Sequence, residues 1–186
     1  MEPLTQTIHP IKYRRPILED GLKLHQLIAN SPPLDVNSSY LYFLQSSHFS
    51  ETYVVAEHAG EIIGFVSGYL RPDRPDELFV WQLVVAPSGR GHGVAKALVR
   101  QLTQQAIRLC QQPLRSISCT ISPSNHASQG VFKSLAHSFG LQLEVRPFLT
   151  QAHFAGQAHE PEDEYRLTAA ECQPLEHYLA AQLSKD

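Results

Sequence analysis

The feature that most constrains the fold is an apolar segment followed directly by a glycine-rich loop. Residues 78–86 are almost continuously apolar, and Pro87 ends the segment. Such a run predicts a strand that is covered on both faces of a sheet. The glycine loop at 88–93 then leads into a segment, ending near Gln111, whose apolar side chains recur at helical spacing. A buried strand, a glycine loop and an amphipathic helix are therefore expected in direct succession.

This loop predicts an anion site. Glycine lets the main chain approach a ligand closely, and a helix N-terminus offers unpaired N–H groups with a partial charge of about +0.5. A pyrophosphate group fits such a site. A P-loop would need a Gly-Lys-Ser/Thr ending, and a dinucleotide-binding fingerprint would need a third glycine where the helix begins. Neither pattern is present at 88–95.

The rest of the chain predicts one mixed α/β domain. The expected strands are 11–17, a hairpin formed by 52–57 and 62–70, 116–121, about 141–145 and about 164–167. The expected helices are 18–29, a short helix over 40–44 that Asn37 or Ser38 caps, a helix that carries residues 127–135 and is capped from the loop 122–125, and a C-terminal helix over 169–183.

Charge and cysteine usage exclude several classes of protein. The 15 basic and 18 acidic side chains are interspersed and give a net charge of −3, so no nucleic-acid partner is expected. No apolar stretch reaches the roughly 18 residues of a membrane helix, and no membrane association is expected. Cys110, Cys119 and Cys172 form no CxxC pair, which favours a reducing compartment, the cytoplasm. The 10 histidines show no compact ligand spacing, so no metal is expected.

The segment Arg90-Gly91-His92-Gly93-Val94-Ala95 resembles the Q/R-x-x-G-x-G/A motif of the GCN5-related N-acetyltransferases. The element order from Ile11 to Leu167 is similar to that fold. The resemblance implies an α/β fold with a central, mostly antiparallel sheet flanked by helices, over residues 1–168. Residues 169–186 would form a short helical extension of the same domain. The implied acetyl donor is acetyl-CoA.

The resemblance also implies which residues hold acetyl-CoA. The main chain of Leu83, Val84 and Val85 would hold the pantetheine and the acetyl group. Asn125 matches an asparagine that contacts the pantetheine in this family. The pyrophosphate would lie on the loop formed by Arg90, Gly91, His92, Gly93, Val94 and Ala95.

Other segments narrow the resemblance. Residues 33–40, 64–69, 74–76, 79–82 and 159–162 together resemble the branch of this family that acetylates the 4-amino group of L-2,4-diaminobutyrate in ectoine biosynthesis. That resemblance implies a small diamino acid as substrate and a homodimer.

Acetyl transfer to this substrate requires a deprotonated amine, carboxylates that recognise the ammonium groups, and a proton acceptor near the thioester. Asp35, Trp81, Tyr40 and Glu162 are the expected substrate-binding residues. Glu162, His159 and Tyr40 are the expected catalytic residues.

Each of these residues also has an ordinary structural interpretation. Asp35 is also typical of a turn, Glu160 and Glu164 are rivals of Glu162, and His159 could be a surface histidine.

Many relatives carry a tyrosine that protonates the CoA thiolate at the position of Phe132, and Phe132 has no proton to donate. Tyr40 is a candidate for that acid.

Three other functions remain open at this point. The acceptor could be ornithine, lysine or another small diamine, because one methylene in a pocket changes selectivity by only about 10 to 200-fold. It could also be a peptide amine. The chain could instead be a non-catalytic acyl-CoA-binding module. For the enzymes, direct attack in a ternary complex is favoured over an acetyl-cysteine route, since no histidine is spaced to activate a cysteine.

Overall fold

A computed structural model describes residues 10–155 and 159–183 of the 186-residue chain. The strands are β1 (Lys12–Arg14), β2 (Tyr53–His58), β3 (Glu61–Arg71), β4 (Arg74–Val85), β5 (Ser116–Ile121), β6 (Gln142–Leu149) and β7 (Glu162–Thr168). The α-helices are α1 (Gly21–Ala29), α2 (Ser39–Ser47), α3 (Val94–Leu109), α4 (His126–Phe139) and α5 (Leu175–Leu183).

The strands form one seven-stranded sheet in the order β1-β2-β3-β4-β5-β7-β6. Only the β4–β5 pair is parallel, and the other neighbours are antiparallel. The mixed, mostly antiparallel sheet expected from the sequence is therefore confirmed. The edge position expected for the first strand, which meets Pro16, is also observed.

The two faces of the sheet are covered by different helices. On one face, apolar residues of α3, α4 and α5 form the main core with alternate residues of β2, β4, β5 and β7. On the other face, α1 and α2 place Leu24, Ile28 and Tyr42 against Val55 and Phe65 of the β2–β3 hairpin. On β5 the alternation places Ile117 in the main core and leaves serines for the opposite face.

Strand β4 contains a β-bulge at Trp81. Ser67 of β3 pairs with Gln82 and Gly68 pairs with Val80, so Trp81 is the extra residue. A bulge puts two consecutive side chains on the same side of a strand. Residues 78 and 80 before the bulge and 83 and 85 after it therefore all contact the main core, while Trp81 and Gln82 both belong to the face that carries α1 and α2.

The parallel pair β4–β5 opens into a cleft. Its pairing runs from Glu77–Ser116 to Phe79–Ser118 and ends there, although both strands continue. Beyond Phe79 the two strands diverge, and the loop before α3 and the start of α4 follow at the diverging ends. The topology thus places the glycine loop beside a gap in the sheet.

Several expected elements differ from the observed ones; the first strand, for example, spans Lys12–Arg14 rather than 11–17. The C-terminal helix begins at Leu175, because Gln173 before Pro174 adopts an extended conformation (φ −64°, ψ 153°), as the proline ring requires. The last strand begins at Glu162 rather than Glu164, so two residues expected in an acidic loop belong to β7. Ser38 is the N-cap residue of α2 but makes no capping hydrogen bond with its side chain.

The C-terminal helix packs into the main core through Leu175 and Leu179, whose side chains are buried. The expectations placed on residues 1–9 and 184–186, and on the side chains of Cys172 and Leu183, lie outside the described residues. None of the helices in the described ranges has the length and apolar character needed to cross a bilayer.

Candidate active site

A cavity of about 580 Å³ lies where β4 and β5 have diverged, and it is lined by the end of β4, the glycine loop, the first turns of α3 and α4, and residues 31–34. Nine of the ten expected acetyl-CoA contacts line it: Leu83, Val84, Val85, Arg90, Gly91, Gly93, Val94, Ala95 and Asn125. The tenth, His92, is exposed and is not among the lining residues; its Nδ1 lies 2.8 Å from the carbonyl oxygen of Arg90.

Strand β4 turns main-chain groups toward this cavity. The amide of Gln82 donates to Ser67 Oγ and the amide of Ala86 donates to the carbonyl of Ile63, so both point toward β3. Because amides alternate in direction along a strand, those of Leu83 and Val85 point the opposite way, into the cleft. A main-chain N–H in this position can polarise a thioester carbonyl and stabilise the oxyanion that forms on it.

The start of α3 provides an anion-binding end. Its first helical hydrogen bond runs from the amide of Ala97 to the carbonyl of Gly93, which leaves the amides of residues 94–96 free of helical partners. The N-cap residue Gly93 has φ 71°, and no side chain caps the helix. Arg90 and Lys96 add positive charge at the cavity wall. These groups fit the pyrophosphate expected from the glycine loop.

Helix α4 forms the opposite wall. Asn125 caps it by accepting a hydrogen bond from the amide of Ser128 at 3.1 Å, which leaves the side-chain NH₂ of Asn125 available at the cavity. Phe132 is 2% exposed and belongs to the main core, so it takes no part in the proton chemistry. The thiolate acid must be another group or water.

The expected acceptor site is assembled from distant segments. His159 Nε2 lies 3.4 Å from Asp35 Oδ2, and His159 Nδ1 lies 2.7 Å from the carbonyl oxygen of Glu160, to which it donates. The His159 ring stacks on Phe154 at a centroid distance of 4.0 Å. The pKa of His159 is raised above 6.5, first by its bond to the Glu160 carbonyl and then by the Asp35 carboxylate.

Glu162 lies at the start of β7, half-buried and close to the same groups. Burial raises the pKa of Glu162 above its ordinary 4.5, and the negative charges of Asp35 and Glu160 raise it further. A hydrogen bond with Thr120 and the charge of His159 oppose this shift. A carboxylate whose pKa is raised is a stronger base than an ordinary glutamate, so Glu162 is suited to accept a proton.

Trp81 and Tyr40 are the two aromatic residues expected at the site. The bulge leaves the Trp81 side chain 45% exposed on the α1–α2 face, where it can contact an alkylammonium group. Tyr40 is 69% exposed in the first turn of α2, and its hydroxyl makes no hydrogen bond within the described ranges. The geometry brings Asp35, His159 and Glu162 together, but it does not bring Tyr40 into contact with them.

Some residues of the site are not among the site residues predicted from the sequence. Residues 31–34 and Lys96 line the cavity, Thr120 binds Glu162, and the Gln82 amide binds the main chain of Asp35. The proline pair at 32–33 beside an aromatic helix is a sequence signal for a site border. Thr120 and Gln82 give no such signal, because their contacts depend on how strands pair.

Within residues 10–155 and 159–183, no three His, Cys, Asp or Glu side chains are grouped so that they could hold a metal ion. The polar groups of the site are main-chain amides, two carboxylates, a histidine and cationic side chains at the cavity mouth. This set suits binding of a phosphorylated thioester and an amine.

Comparison with known proteins agrees with this geometry. The profile of the acetyltransferase (GNAT) family matches residues 22–136. The L-2,4-diaminobutyric acid acetyltransferase of Vibrio parahaemolyticus is 44% identical over 156 residues, which cover 83% of this chain and 84% of that protein. The same enzyme of Vibrio cholerae is 43% identical over 162 residues, 85% of this chain and 90% of that protein.

A solved structure is also similar. It is the diaminobutyrate acetyltransferase EctA from Paenibacillus lautus, in complex with its substrate L-2,4-diaminobutyric acid and coenzyme A. Its TM-score is 0.80 and its sequence identity 37%, over 86% of this chain and 95% of that chain. On the family profile and these identities, the chain belongs to the GNAT acetyltransferase family.

Proposed function

We propose that this protein transfers the acetyl group of acetyl-CoA to the 4-amino group of L-2,4-diaminobutyrate. The observation that carries the proposal is the meeting of Asp35, His159 and Glu162 near a cleft of about 580 Å³ that ends at the N-terminus of a helix without a side-chain cap. The similarity to diaminobutyrate acetyltransferases over more than four fifths of the chain supports this choice of acceptor. The product belongs to ectoine synthesis by the same resemblance.

The chain's own residues divide the chemistry among them. The amides of residues 94–96 and the charges of Arg90 and Lys96 hold the pyrophosphate. The amide of Leu83 or Val85 polarises the thioester carbonyl. Asp35 and the face of Trp81 hold the substrate's ammonium groups.

Glu162 accepts the proton that the attacking ammonium must lose before its lone pair can reach the carbonyl carbon. The nitrogen then bonds to the carbonyl carbon, the C–S bond breaks in the same ternary complex, and the second proton that the nitrogen loses reaches the CoA thiolate directly or through water. His159, held by the Glu160 carbonyl and by Asp35, keeps the two carboxylates from repelling each other and contributes positive charge near the substrate carboxylate.

Thiol release from acetyl-CoA tests the proposal. The purified protein is assayed with diaminobutyrate, ornithine, lysine, spermidine and a short peptide, and the acetylated nitrogen is assigned by tandem mass spectrometry. Selective turnover of diaminobutyrate at N4 is expected. Preference for a longer diamine or for the peptide would contradict the choice of acceptor, and acetyl-CoA binding without turnover would contradict catalysis.

We further propose that the enzyme is a homodimer in the cytoplasm. The resemblance supports the dimer, and β6, an edge strand, leaves Val145 and Phe148 45% and 50% exposed. The free thiols of Cys110 and Cys119 support a reducing compartment. Sedimentation velocity should give twice the 20.8 kDa mass of one chain, and a monomer at micromolar concentration would contradict the dimer.

A further inference from the structure

We propose that Gln82 is a positioning residue that sets the affinity for the amine substrate by fixing the main chain of Asp35. The proposal rests on the proposed function of the site. Gln82 is not among the residues that line the cavity, and its side chain binds the main-chain carbonyl of Asp35 rather than the carboxylate, so it acts through the loop that carries this carboxylate.

The contact joins two distant parts of the chain. The Gln82 side-chain nitrogen donates to the carbonyl oxygen of Asp35 at 2.9 Å, across 47 residues of sequence. Gln82 is only 4% exposed, and its main-chain N–H donates to Ser67 Oγ at 3.1 Å. The Gln82 side chain that donates this bond therefore projects from a bulge of β4 that is itself hydrogen-bonded to β3.

The loop that receives this bond has few other anchors. Leu34 N donates to the carbonyl of Ser31 at 3.2 Å, and Asn37 N reaches the Tyr42 hydroxyl at 3.4 Å. Between these points, the Asp35 carbonyl is the main-chain group tied to the sheet. The loop also borders the acyl-CoA cleft through residues 31–34, on the other side of Asp35 from its bond to Gln82 in the sequence.

The Asp35 carboxylate cannot hold itself in place. Its side chain is 83% exposed, and its contact with His159 Nε2 is long, at 3.4 Å. An exposed ion pair of this kind is weak and orders a side chain poorly. The direction of the carboxylate must therefore come from its main chain, which the Gln82 amide fixes.

The side-chain oxygen of Gln82 also favours a positioning role over a role in packing. Its Oε1 is buried without a hydrogen-bond partner among the described residues. An unpaired buried oxygen costs free energy that an apolar side chain of the same length would avoid. A methionine would fill this space without that cost, so the glutamine is explained by the bond that its nitrogen makes.

Two substitutions test the role of Gln82. Gln82→Met keeps the length and removes the donor, and Gln82→Glu keeps the shape but turns an acceptor toward the Asp35 carbonyl. We expect both to raise KM for diaminobutyrate, Gln82→Met on the order of tenfold and Gln82→Glu by more, with kcat and the KM for acetyl-CoA changed less. A role in packing alone would instead lower the melting temperature and leave the ratio of the two KM values unchanged.

Gln105 offers a matched control. It is a buried glutamine of α3 whose nitrogen, once the amide is oriented to donate, lies 2.8 Å from the carbonyl of Glu51, away from the cavity. Gln105→Met removes the same kind of bond. It should lower thermal stability and leave both KM values unchanged.

A double-mutant cycle with Asp35→Asn separates action through Asp35 from any other action. If Gln82 works by placing the Asp35 carboxylate, Gln82→Met should change KM by less than about threefold in the Asp35→Asn background, because interacting residues are not additive. Full additivity would overturn the proposal.

An unchanged KM for diaminobutyrate in Gln82→Met, in an otherwise active enzyme, would also overturn it while leaving the proposed function standing. A wild-type protein that does not acetylate diaminobutyrate would overturn both.

Discussion

At the scale of single residues, the proposed acceptor site brings two carboxylates and one histidine close together. Asp35 and Glu162 carry like charges, and His159 lies between the segments that supply them. Burial and these neighbours raise the pKa of Glu162, while the Glu160 carbonyl and Asp35 raise that of His159. The shift of Glu162 makes it a stronger base than an ordinary glutamate, and the shift of His159 favours the cationic form of its ring.

The role of Glu162 predicts a large loss of rate on substitution. Glu162→Gln should lower kcat by about 100-fold or more, since it removes the proton acceptor. Glu160→Gln is the matched control, because Glu160 is exposed and bonds the amide of Ser124. In the wild type, activity should fall as the pH drops through the pKa of Glu162, at a midpoint above 4.5. Equal kcat in the two variants would contradict this assignment.

The contact between His159 and Asp35 predicts a measurable titration. Because the Asp35 carboxylate favours the protonated ring, the pKa of His159 should lie above 6.5 in the wild type and move toward 6.5 in Asp35→Asn. The contribution of the ion pair is present at low pH and is lost as the pH rises through the pKa of His159. NMR of the ring protons measures this pKa. An identical pKa in both proteins would show that the pair does not form in solution.

At the scale of elements, the proposed acyl-CoA site is formed by the end of β4, the start of α3 and the glycine loop between them. Gly91 and Gly93 have φ 78° and 71°, values that other residues adopt only with strain. This backbone leaves the first amides of α3 facing the cleft with no side-chain cap. A β-carbon would meet no atom within 4 Å at either glycine, so conformation rather than space requires glycine there.

The hairpin glycine Gly60 provides a control for this geometry, with φ 84° and equally open surroundings. Gly93→Ala and Gly60→Ala should each lower the free energy of unfolding by about 1 kcal/mol, the cost of a left-handed backbone for alanine. Only Gly93→Ala should raise KM for acetyl-CoA, because relaxation of its backbone moves the amides of α3. Calorimetry and initial rates measure the two effects. An equal rise in KM from Gly60→Ala would refute this explanation.

At the scale of the whole molecule, the sheet has two halves, β1–β4 and β5–β7, and the short β4–β5 pairing joins them. A buried carboxylate lies at this junction. Glu77 accepts hydrogen bonds from Ser118 Oγ at 2.6 Å and Ser116 Oγ at 3.1 Å, and it pairs with Arg166 at 2.9 Å and Arg71 at 3.0 Å. These contacts hold the paired ends together so that the strands diverge only beyond them.

Burial alone would raise the pKa of Glu77, but the bonds from Ser118 and Ser116 and the charges of Arg166 and Arg71 outweigh it and lower that pKa. Glu77→Gln should therefore lower the free energy of unfolding at neutral pH by about 3 kcal/mol. A lowered pKa means that this stability is present above about pH 4.5 and disappears as the pH falls through the pKa of folded Glu77.

Denaturant unfolding of Glu77→Gln at several pH values measures that difference, with Asp73→Asn as control. Asp73 pairs with the same Arg71 but is exposed, so its loss should leave stability nearly unchanged. A stability difference for Glu77→Gln that persists unchanged into acid would contradict a role for the ionised carboxylate.

The parts of the fold and site that follow from local pattern are the ones the sequence predicts well. The spacing of Val94, Leu98 and Leu102 identifies α3 because all of them face one core. The glycine loop identifies the anion end for the same local reason. The narrower resemblance, carried by several separate segments, predicts Asp35, His159 and Glu162 as site residues, and the structure brings these three close together. Their mutual distances have no local signal.

What the sequence by itself determined is therefore the order of elements, the uncapped helix start and the types of side chain available for chemistry, since these depend on neighbours along the chain. Tertiary structure alone decided the rest. The bulge at Trp81 exists only in the register between β3 and β4, and the bond from Gln82 to Asp35 spans 47 residues. The cleft arises because β4 and β5 part after Phe79. Each of these features depends on contacts between segments that are distant in the sequence. The free energy that stabilises it comes from strand pairing and burial, which no single segment can provide.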